Sequence, residues 1–331
     1  MMYLRTHLTI AWLVFPALAY PQTDFQQPPR VLHRAEYAIQ PSIGTHCRPD
    51  FFVVDSIPCA QSPNGCLPQC NGRVCRYLPD ERYHRSTREE LLAALSPGIP
   101  VCIVVHGSFV GARSLFPDTI GRYKRLLTSA NDRPIHFIAA HWPSDPGLLM
   151  FPAIQVNELG RRAEYNGIYV AQLINSIPPE NPICMIGHSH GCRLIASAIH
   201  LLGGGTVCGF SVPDACPQRR IRVVFGAAAI DQHWLNPGQR YGCGLRRVEC
   251  LLNIKNRTDL PLNLYPLGDP FWHRAIGQGG FRPCDFAQMG MQAAKIRQFE
   301  VSHLVGTGHE IARYAPHPQI RASYLPYAFF D

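Results

Sequence analysis

The chain has 331 residues, of which 46% are hydrophobic and only 16% are charged. The hydrophobic content suffices for a substantial core, and a charged fraction below the roughly 25% of soluble proteins argues against intrinsic disorder and coiled coil. The formal net charge of +8 comes from scattered basic residues, and the densest cluster, at 219–222, has no interleaved aromatic residues. The composition therefore indicates a globular protein without a nucleic-acid partner.

The first twenty residues have the pattern of an export signal. Arg5 and His7 precede an apolar run at 8–20, and the sequence Ala-Leu-Ala at 17–19 provides small residues for cleavage. The run contains Pro16 and is too short to cross a bilayer comfortably. We therefore predict a signal peptide at 1–19, a secreted or periplasmic protein and no stable membrane span. The alternative is an uncleaved membrane anchor.

Cysteines crowd into one stretch that is rich in proline, glycine and asparagine. Its members are Cys47, Cys59, Cys66, Cys70 and Cys75. In an exported chain such crowding indicates disulfide bonds, and we place this Cys-rich segment at 44–80 as the N-terminal edge of a sheet. A structural zinc site made by the last four of these cysteines is the alternative, although their spacing lacks the paired C-x-x-C of a zinc ribbon.

Six of the other eight cysteines carry a specific prediction. Cys102 and Cys184 lie inside apolar, strand-like runs and are predicted to be buried free thiols. Two pairs are close enough in sequence to close short loops by disulfide bonds: Cys208 with Cys216, and Cys243 with Cys250. The total of 13 is odd, so at least one thiol must stay free or pair between chains.

Short apolar runs alternate with helical patterns along the rest of the chain. The runs are rich in β-branched and aromatic residues and predict strands at 51–55, 101–105, 135–140, 183–187, 221–227, 250–254 and 299–305. Helical patterns occupy 86–96 (where Ser86 and Glu89 suggest a capping box), 154–177 and 192–202. This alternation predicts an α/β fold with a mainly parallel central sheet flanked by helices, in one domain over 20–331.

The sequence MIGHSHGCR at 185–193 contains the pattern G-x-S-x-G around Ser189. The pentapeptide alone is a weak signal, but an apolar strand precedes it and a helical pattern follows it. That order is typical of a nucleophile elbow, in which a sharp strand-to-helix turn exposes a serine. Ser189 is therefore the candidate nucleophile.

A second loop could stabilise an oxyanion next to this serine. The strand at 101–105 ends in His106-Gly107, one crossover upstream of the elbow. The backbone N–H groups of Ser108 or Phe109 could point at the same position as the N–H of His190. These three residues are the predicted oxyanion-hole donors.

A serine nucleophile also needs a histidine base and a carboxylate that fixes the tautomer of that base. His309 is the predicted base because it lies in a glycine-rich loop after the last strand-like run, whereas His303 lies inside that run. Asp231 lies five positions beyond Gly226, and Asp259 lies five positions beyond the end of the run at 250–254. The spacing leaves both aspartates open as the acid.

The elbow, the loop after 101–105 and the order serine, acid, histidine together resemble the α/β-hydrolase superfamily. More particularly, HWPSD at 141–145, followed by a long helix and then ICMIGHSHG, is similar to a bacterial α/β-hydrolase group labelled as a domain of unknown function. The resemblance covers residues 50–315 and implies hydrolysis of esters or related acyl compounds. On the superfamily pattern the acid follows the strand after 221–227, which implies Asp259 as the acid and His309 as the base.

The sequence thus predicts a secreted serine hydrolase that cleaves the carboxylic ester of a small molecule through a Ser189, His309 and Asp259 triad and an acyl-enzyme. It predicts no metal and no other cofactor. Two alternatives stay open: an α/β-hydrolase fold that has lost catalysis and serves as a binding protein, and an acyltransferase with the same triad. The substrate and the oligomeric state cannot be predicted from these patterns.

Overall fold

The chain is built around one large mixed β-sheet. The computed structural model describes residues 50–59, 67–68, 72–78, 82–110, 119, 121, 133–145, 152–265, 273–314 and 316–331. In this part of the chain the strands are β1 Phe51–Asp55, β2 Arg73–Tyr77, β3 Tyr83–Ser86, β4 Val101–Val105, β5 His136–His141, β6 Ile183–His188, β7 Ile221–Gly226, β8 Cys250–Lys255 and β9 Ile296–Glu300. Their spatial order is β3-β2-β1-β5-β4-β6-β7-β8-β9.

Helices connect the strands and end the chain. They are α1 Arg88–Ala94, α2 Pro152–Ser176, α3 His190–Leu202, α4 Gly244–Arg247, α5 Leu260–Asn263, α6 Ile276–Gly279, α7 Pro283–Met289, α8 Ser302–Val305, α9 Ile311–Tyr314 and α10 Pro318–Phe329, with a 3₁₀ helix at Gly290–Lys295. Within the ranges given above, no helix combines the length and the apolar character that a membrane crossing requires.

The centre of the sheet is parallel and buried on both faces. From β1 through β5, β4, β6, β7 and β8 to β9, every neighbouring pair of strands is parallel. In β4, Val101, Ile103 and Val105 pack with α2 and α3, whereas Cys102 and Val104 pack on the opposite side with α10. Burial on both faces explains why the strand reads as a continuous apolar run. The predicted α/β fold with a mainly parallel sheet is confirmed.

The N-terminal strands form one edge of this sheet, where β2 pairs antiparallel with both β1 and β3. Of the five crowded cysteines, only Cys59 and Cys75 fall within the described residues. Cys59 is disulfide-bonded, and Cys75 is a half-buried free thiol. The predicted signal peptide at 1–19 and the other three cysteines of the Cys-rich segment lie outside the described residues.

The cysteines of the central and C-terminal regions are reduced. Cys102 and Cys184 face each other in β4 and β6 as buried free thiols, as predicted, and burial raises the pKa of the Cys184 thiol. Both predicted short-loop disulfides are wrong, because all four cysteines concerned are free: Cys208, Cys216, Cys243 and Cys250. Cys243 and Cys250 are separated by α4, and the backbone N–H of Cys243 donates to His200 Nδ1.

Two local predictions need correction. The N-cap of α1 is Thr87, whose hydroxyl accepts the N–H of Glu90, and not Ser86, which ends β3. The predicted strand at 299–305 is wrong beyond Glu300, where β9 ends and α8 follows almost at once. The Glu300 carboxylate accepts the backbone N–H of Ser302 at 3.1 Å, which turns the chain into that helix.

Candidate active site

Ser189 occupies a strained turn between β6 and α3. Its φ of 53° and ψ of −123° lie in a region that residues other than glycine rarely adopt. Its N–H donates to the carbonyl of Gly226 at 3.0 Å, and its own carbonyl accepts the N–H groups of Cys192 at 3.0 Å and Ala229 at 3.3 Å. These bonds hold the turn at the carboxyl ends of the parallel strands, where α/β folds place their sites.

The two glycines of the motif allow backbones to pass very close to this turn. A Cβ atom at Gly187 would lie 2.8 Å from the backbone nitrogen of Cys192. A Cβ atom at Gly191 would lie 2.5 Å from the carbonyl oxygen of His106. Any larger residue at either position would therefore displace the elbow or the loop after β4, as the geometry of a nucleophile elbow requires.

The structure brings Ser189, His309 and Asp259 together. His309 Nε2 lies 3.0 Å from Ser189 Oγ, and His309 Nδ1 lies 2.8 Å from Asp259 Oδ2. Asp259 is fully buried, and its Oδ1 accepts the N–H of Leu262 as the N-cap of α5. Because the carboxylate accepts from Nδ1, that nitrogen carries the proton and Nε2 is free to accept the serine proton.

The loop after β8 is hydrogen-bonded to the loop that carries His309. Asn256 Nδ2 donates to the carbonyls of Gly306 at 2.8 Å and Gly308 at 3.1 Å. The hydroxyl of Thr258 donates to the same carbonyl of Gly306 at 2.8 Å. These contacts fix the imidazole through its backbone. The sequence contains no motif that marks Asn256 for this role.

His188 is a second positioning residue. Its Nε2 donates to the backbone carbonyl of His309 at 2.7 Å, and the two rings lie 5.0 Å apart between centroids. The side chain of His188 thus contacts His309 and holds its backbone in place. His303, expected inside a strand, is instead exposed on α8.

Asp231, the rival acid, contacts a different set of residues. Its Oδ1 accepts the hydroxyl of Tyr265 at 2.6 Å, and its Oδ2 lies 3.9 Å from His273 Nδ1. The ambiguity that the sequence left between the two aspartates thus ends in favour of Asp259 as the partner of His309. Asp231 instead belongs to a group of possible metal ligands with His233 and His273.

The three predicted oxyanion-hole residues differ in whether their backbone N–H groups are already hydrogen-bonded. The prediction for Phe109 is wrong, because its N–H already donates to the carbonyl of Ser144 at 2.9 Å. Within the described part of the chain, no residue accepts the backbone N–H of Ser108 or of His190. The hydroxyl of Ser108 lies 2.6 Å from His190 Nδ1, so a side-chain bond links these two candidate donors.

The W-P-S turn holds the loop after β4. The indole Nε1 of Trp142 donates to the carbonyl of His106 at 3.0 Å, and the two rings stack at 5.8 Å with an interplanar angle of 11°. The Ser144 hydroxyl donates to the carbonyl of Val110 at 3.1 Å. The sequence indicated this turn only as part of a resemblance. Its contacts position the candidate oxyanion loop against the elbow.

His190 is neutral in the folded protein. Burial, together with the nearby Arg193 and His309, lowers the pKa of its imidazole to about 3. Arg193 lies on the same helix and pairs with the buried Glu164 at 3.3 Å. A neutral His190 places no positive charge beside His309.

Comparisons with known proteins add few constraints. No family model matches the chain, and no curated protein matches it. Among solved structures, it is similar to the catalytic core domain of acetyl xylan esterase from Trichoderma reesei, with 14% identity over 70% of this chain and 97% of that chain and a TM-score of 0.37. It is also similar to esterase B from Lactobacillus Rhamnosis, with 11% identity over 85% of each chain and a TM-score of 0.36. TM-scores this low leave the side chains of this protein as the basis for assigning a function.

Proposed function

We propose that this protein is a serine hydrolase that cleaves carboxylic esters through an acyl-enzyme on Ser189. The proposal depends on one observation, the pair of hydrogen bonds that links Ser189, His309 and Asp259 at 3.0 Å and 2.8 Å. Both distances lie within the reach that general-base catalysis requires. The three residues would act as nucleophile, base and orienting carboxylate.

In the first half-reaction, Ser189 Oγ attacks the ester carbonyl carbon while its proton moves to His309 Nε2. The carbonyl electron pair moves onto the oxygen, and the N–H groups of Ser108 and His190 would stabilise the resulting oxyanion. The intermediate then collapses. The alcohol leaves with the proton from Nε2, and the acyl group stays on Ser189. Asp259 keeps its charge throughout and stabilises the imidazolium.

In the second half-reaction, a water molecule gives a proton to His309 Nε2 as its oxygen attacks the acyl carbon. The new intermediate collapses, the carboxylic acid leaves, and Ser189 Oγ recovers the proton. An acyltransferase would differ only here, because an alcohol would replace the water. Neither half-reaction as written requires a metal or another cofactor.

Backbone strain at Ser189 supports a functional role for this residue. A residue held in a sparsely populated conformation costs about 1–3 kcal/mol of folding free energy. Such strain clusters at functional sites, because the surrounding structure must be built to maintain it. Here the hydrogen bonds of the elbow and the close contacts at Gly187 and Gly191 maintain the strained conformation. The hydroxyl of Ser189 lies within hydrogen-bonding distance of the imidazole of His309.

We also propose that the protein is exported, which the charged start, the apolar run and the Ala-Leu-Ala sequence at 17–19 support. After expression in a secreting host, N-terminal sequencing of the extracytoplasmic protein should begin at or near Tyr20. A protein that stays in the cytoplasm with Met1 at its start would contradict export and leave the catalytic proposal intact.

A fluorophosphonate probe tests the catalytic proposal directly. Wild-type protein should be labelled once, at Ser189, and should hydrolyse p-nitrophenyl acetate. Ser189→Ala should lose the label, and its turnover should fall by about 10⁶-fold, as for other triad serines. Ser323→Ala is the matched control, because this serine lies on α10 and its hydroxyl donates to the carbonyl of Ile320 in the same helix.

Other outcomes separate the alternatives. Turnover of Ser189→Ala close to the wild type would overturn the assignment of the nucleophile. A folded wild-type protein with neither label nor turnover would favour the binding protein. If added glycerol diverts most of the acyl group into a new ester while the probe still labels Ser189, the protein is an acyltransferase.

A further inference from the structure

We infer that Asp231, His233 and His273 form a binding site for a divalent transition-metal ion, for which zinc is the best match. Each residue offers one ligand atom, and the three atoms lie within 4.8 Å of one another. At bond lengths of 2.0–2.1 Å, two ligands of a tetrahedral zinc ion stand about 3.3 Å apart, so shifts of about 1 Å would complete the site. This inference does not depend on the proposed hydrolase activity.

The state of His233 favours an ion over a simple hydrogen-bonded cluster. Its Nδ1 is buried and has no hydrogen-bond partner among the described residues. A buried polar atom without a partner is rare in native proteins and calls for an explanation such as a bound ion. The ring of His273 lies 4.3 Å away between centroids, at an interplanar angle of 45°. Two imidazoles and a carboxylate are ligands that suit zinc.

Asp231 is oriented as a metal-binding carboxylate would be. Tyr265 donates its hydroxyl to Oδ1 at 2.6 Å, and Oδ2 faces His273 Nδ1 at 3.9 Å. The second distance is too long for a hydrogen bond between these two atoms but short enough for both to share an ion. Ligating carboxylates are commonly held by such an outer hydrogen bond, which makes Tyr265 the expected supporting residue.

The backbone brings the ligands together from two segments. Asp231 forms a β-bridge with Ala275, and Gln232 donates its N–H to the carbonyl of Arg274 at 3.1 Å. Asp231 and His233 therefore come from the loop after β7, and His273 comes from the segment before α6. Three protein ligands leave a tetrahedral ion one position for water. An ion here would join the two segments next to the elbow.

Cobalt and zinc provide the test, with the full-length protein first stripped by a chelator. We expect one Co²⁺ per chain, with the visible absorption of a four- or five-coordinate ion, and its displacement by Zn²⁺ with a rise in the melting temperature. Nine cysteines of the described residues are free thiols that could also bind metal. The spectrum should therefore lack a sulfur-to-cobalt charge-transfer band.

Variants locate the ion. His233→Gln and His273→Gln should each weaken zinc binding by more than about 100-fold, and Tyr265→Phe should weaken it by about 10–100-fold, as loss of an outer-shell partner does. His233→Gln should fold normally, because its Nδ1 has no hydrogen bond to lose among the residues that the structure describes. His303→Gln, at an exposed histidine on α8, is the control and should bind zinc like the wild type.

Three results would overturn the site: a wild-type protein that binds neither ion at millimolar concentration, histidine variants that keep wild-type affinity, or a cobalt spectrum dominated by thiolate. Ser189→Ala should bind zinc unchanged. The failure of the hydrolase proposal and the failure of this inference are therefore distinguishable.

Discussion

The neighbouring strands β7 and β8 are each followed by an aspartate at a similar distance in the sequence. The two aspartates nevertheless have different contacts in the structure. Asp231 lies five residues beyond the end of β7, and Asp259 lies four residues beyond the end of β8. Both carboxylates are buried, and each has a histidine close by. Yet Asp259 bonds His309, which in turn bonds Ser189, whereas Asp231 bonds Tyr265 and faces His273.

The difference arises from the backbone that each loop pairs with. The loop after β8 bonds the loop around His309, through Asn256 and Thr258. The loop after β7 pairs instead with the segment at 274–277, through backbone bonds such as that from the N–H of Ile276 to the carbonyl of Ile230 at 2.8 Å. An aspartate at a strand end therefore takes its role from the segment that its loop pairs with, and its distance from the strand does not determine that role.

Among the tests of this comparison, exchanging each carboxylate for an amide should change ester turnover most. Asp259→Asn should lower ester turnover by about 10⁴-fold, because the imidazole of His309 is then held in the wrong tautomer. Folding should survive, since asparagine caps a helix as well as aspartate does. Asp231→Asn, assayed with chelator so that no metal intervenes, should lower turnover far less. Steady-state kinetics on both variants, with circular dichroism as the check of folding, measures the contrast.

A larger loss of ester turnover for Asp231→Asn than for Asp259→Asn would reverse the roles assigned to the two aspartates. The hydrolase proposal would survive that result, since the serine and the histidine would be unchanged. Equal losses of turnover in the two variants would mean that neither carboxylate orients the imidazole of His309.

The comparison can be sharpened at Gly107, in the loop after β4, and at Gly226, which ends β7. A Cβ atom at Gly107 would lie 3.0 Å from the Cβ of Ser189 and 2.9 Å from His188 Nδ1. Gly107→Ala should therefore displace the candidate oxyanion loop and lower kcat/KM by about 10²-fold, the usual result of a 1 Å misplacement. Gly226→Ala is the control at the end of β7, where the new atom would make an ordinary contact of 3.5 Å with Gly187.

Turnover of Gly107→Ala equal to that of the Gly226 variant would show that the loop after β4 does not need its close fit. Unchanged Tm values for both variants would assign any loss to the site and not to folding.

The smallest expected effect is a difference in acid stability. The pKa of His190 is lowered to about 3, so between the ordinary histidine value and about 3 the unfolded chain binds one more proton than the folded chain. The free energy of unfolding therefore falls as the pH falls through this window. Between pH 7 and pH 5 the wild type should lose about 2 kcal/mol more than His190→Gln. Urea unfolding at both pH values measures the loss.

His303→Gln, at an exposed histidine on α8, is the matched control for this measurement. An identical pH dependence for wild type and His190→Gln would mean that the pKa of His190 is the same in the folded and the unfolded chain. The elbow would then carry a positive charge beside His309 at acidic pH.

Much of the fold was predictable because its signals are local. The runs at 51–55 and 101–105 match β1 and β4 residue for residue, since burial on both faces produces continuous apolar runs. The sequence also located the elbow, where Gly187 passes close to Cys192 five residues later in the chain. Errors occurred where a polar group redirects the chain, as at Glu300, or where two adjacent residues could both cap a helix, as at Ser86 and Thr87.

The sequence by itself determined the strand–turn–helix that carries Ser189 and the chain order of serine, acid and histidine. Only the tertiary structure decided which aspartate meets His309, because the deciding contacts join residues about fifty positions apart. It likewise showed that Ser144 accepts the N–H of Phe109 and that His233 and His273 lie side by side. Periodicity acts between near neighbours in the chain. Hydrogen bonds between loops form only after the sheet has brought its strand ends together.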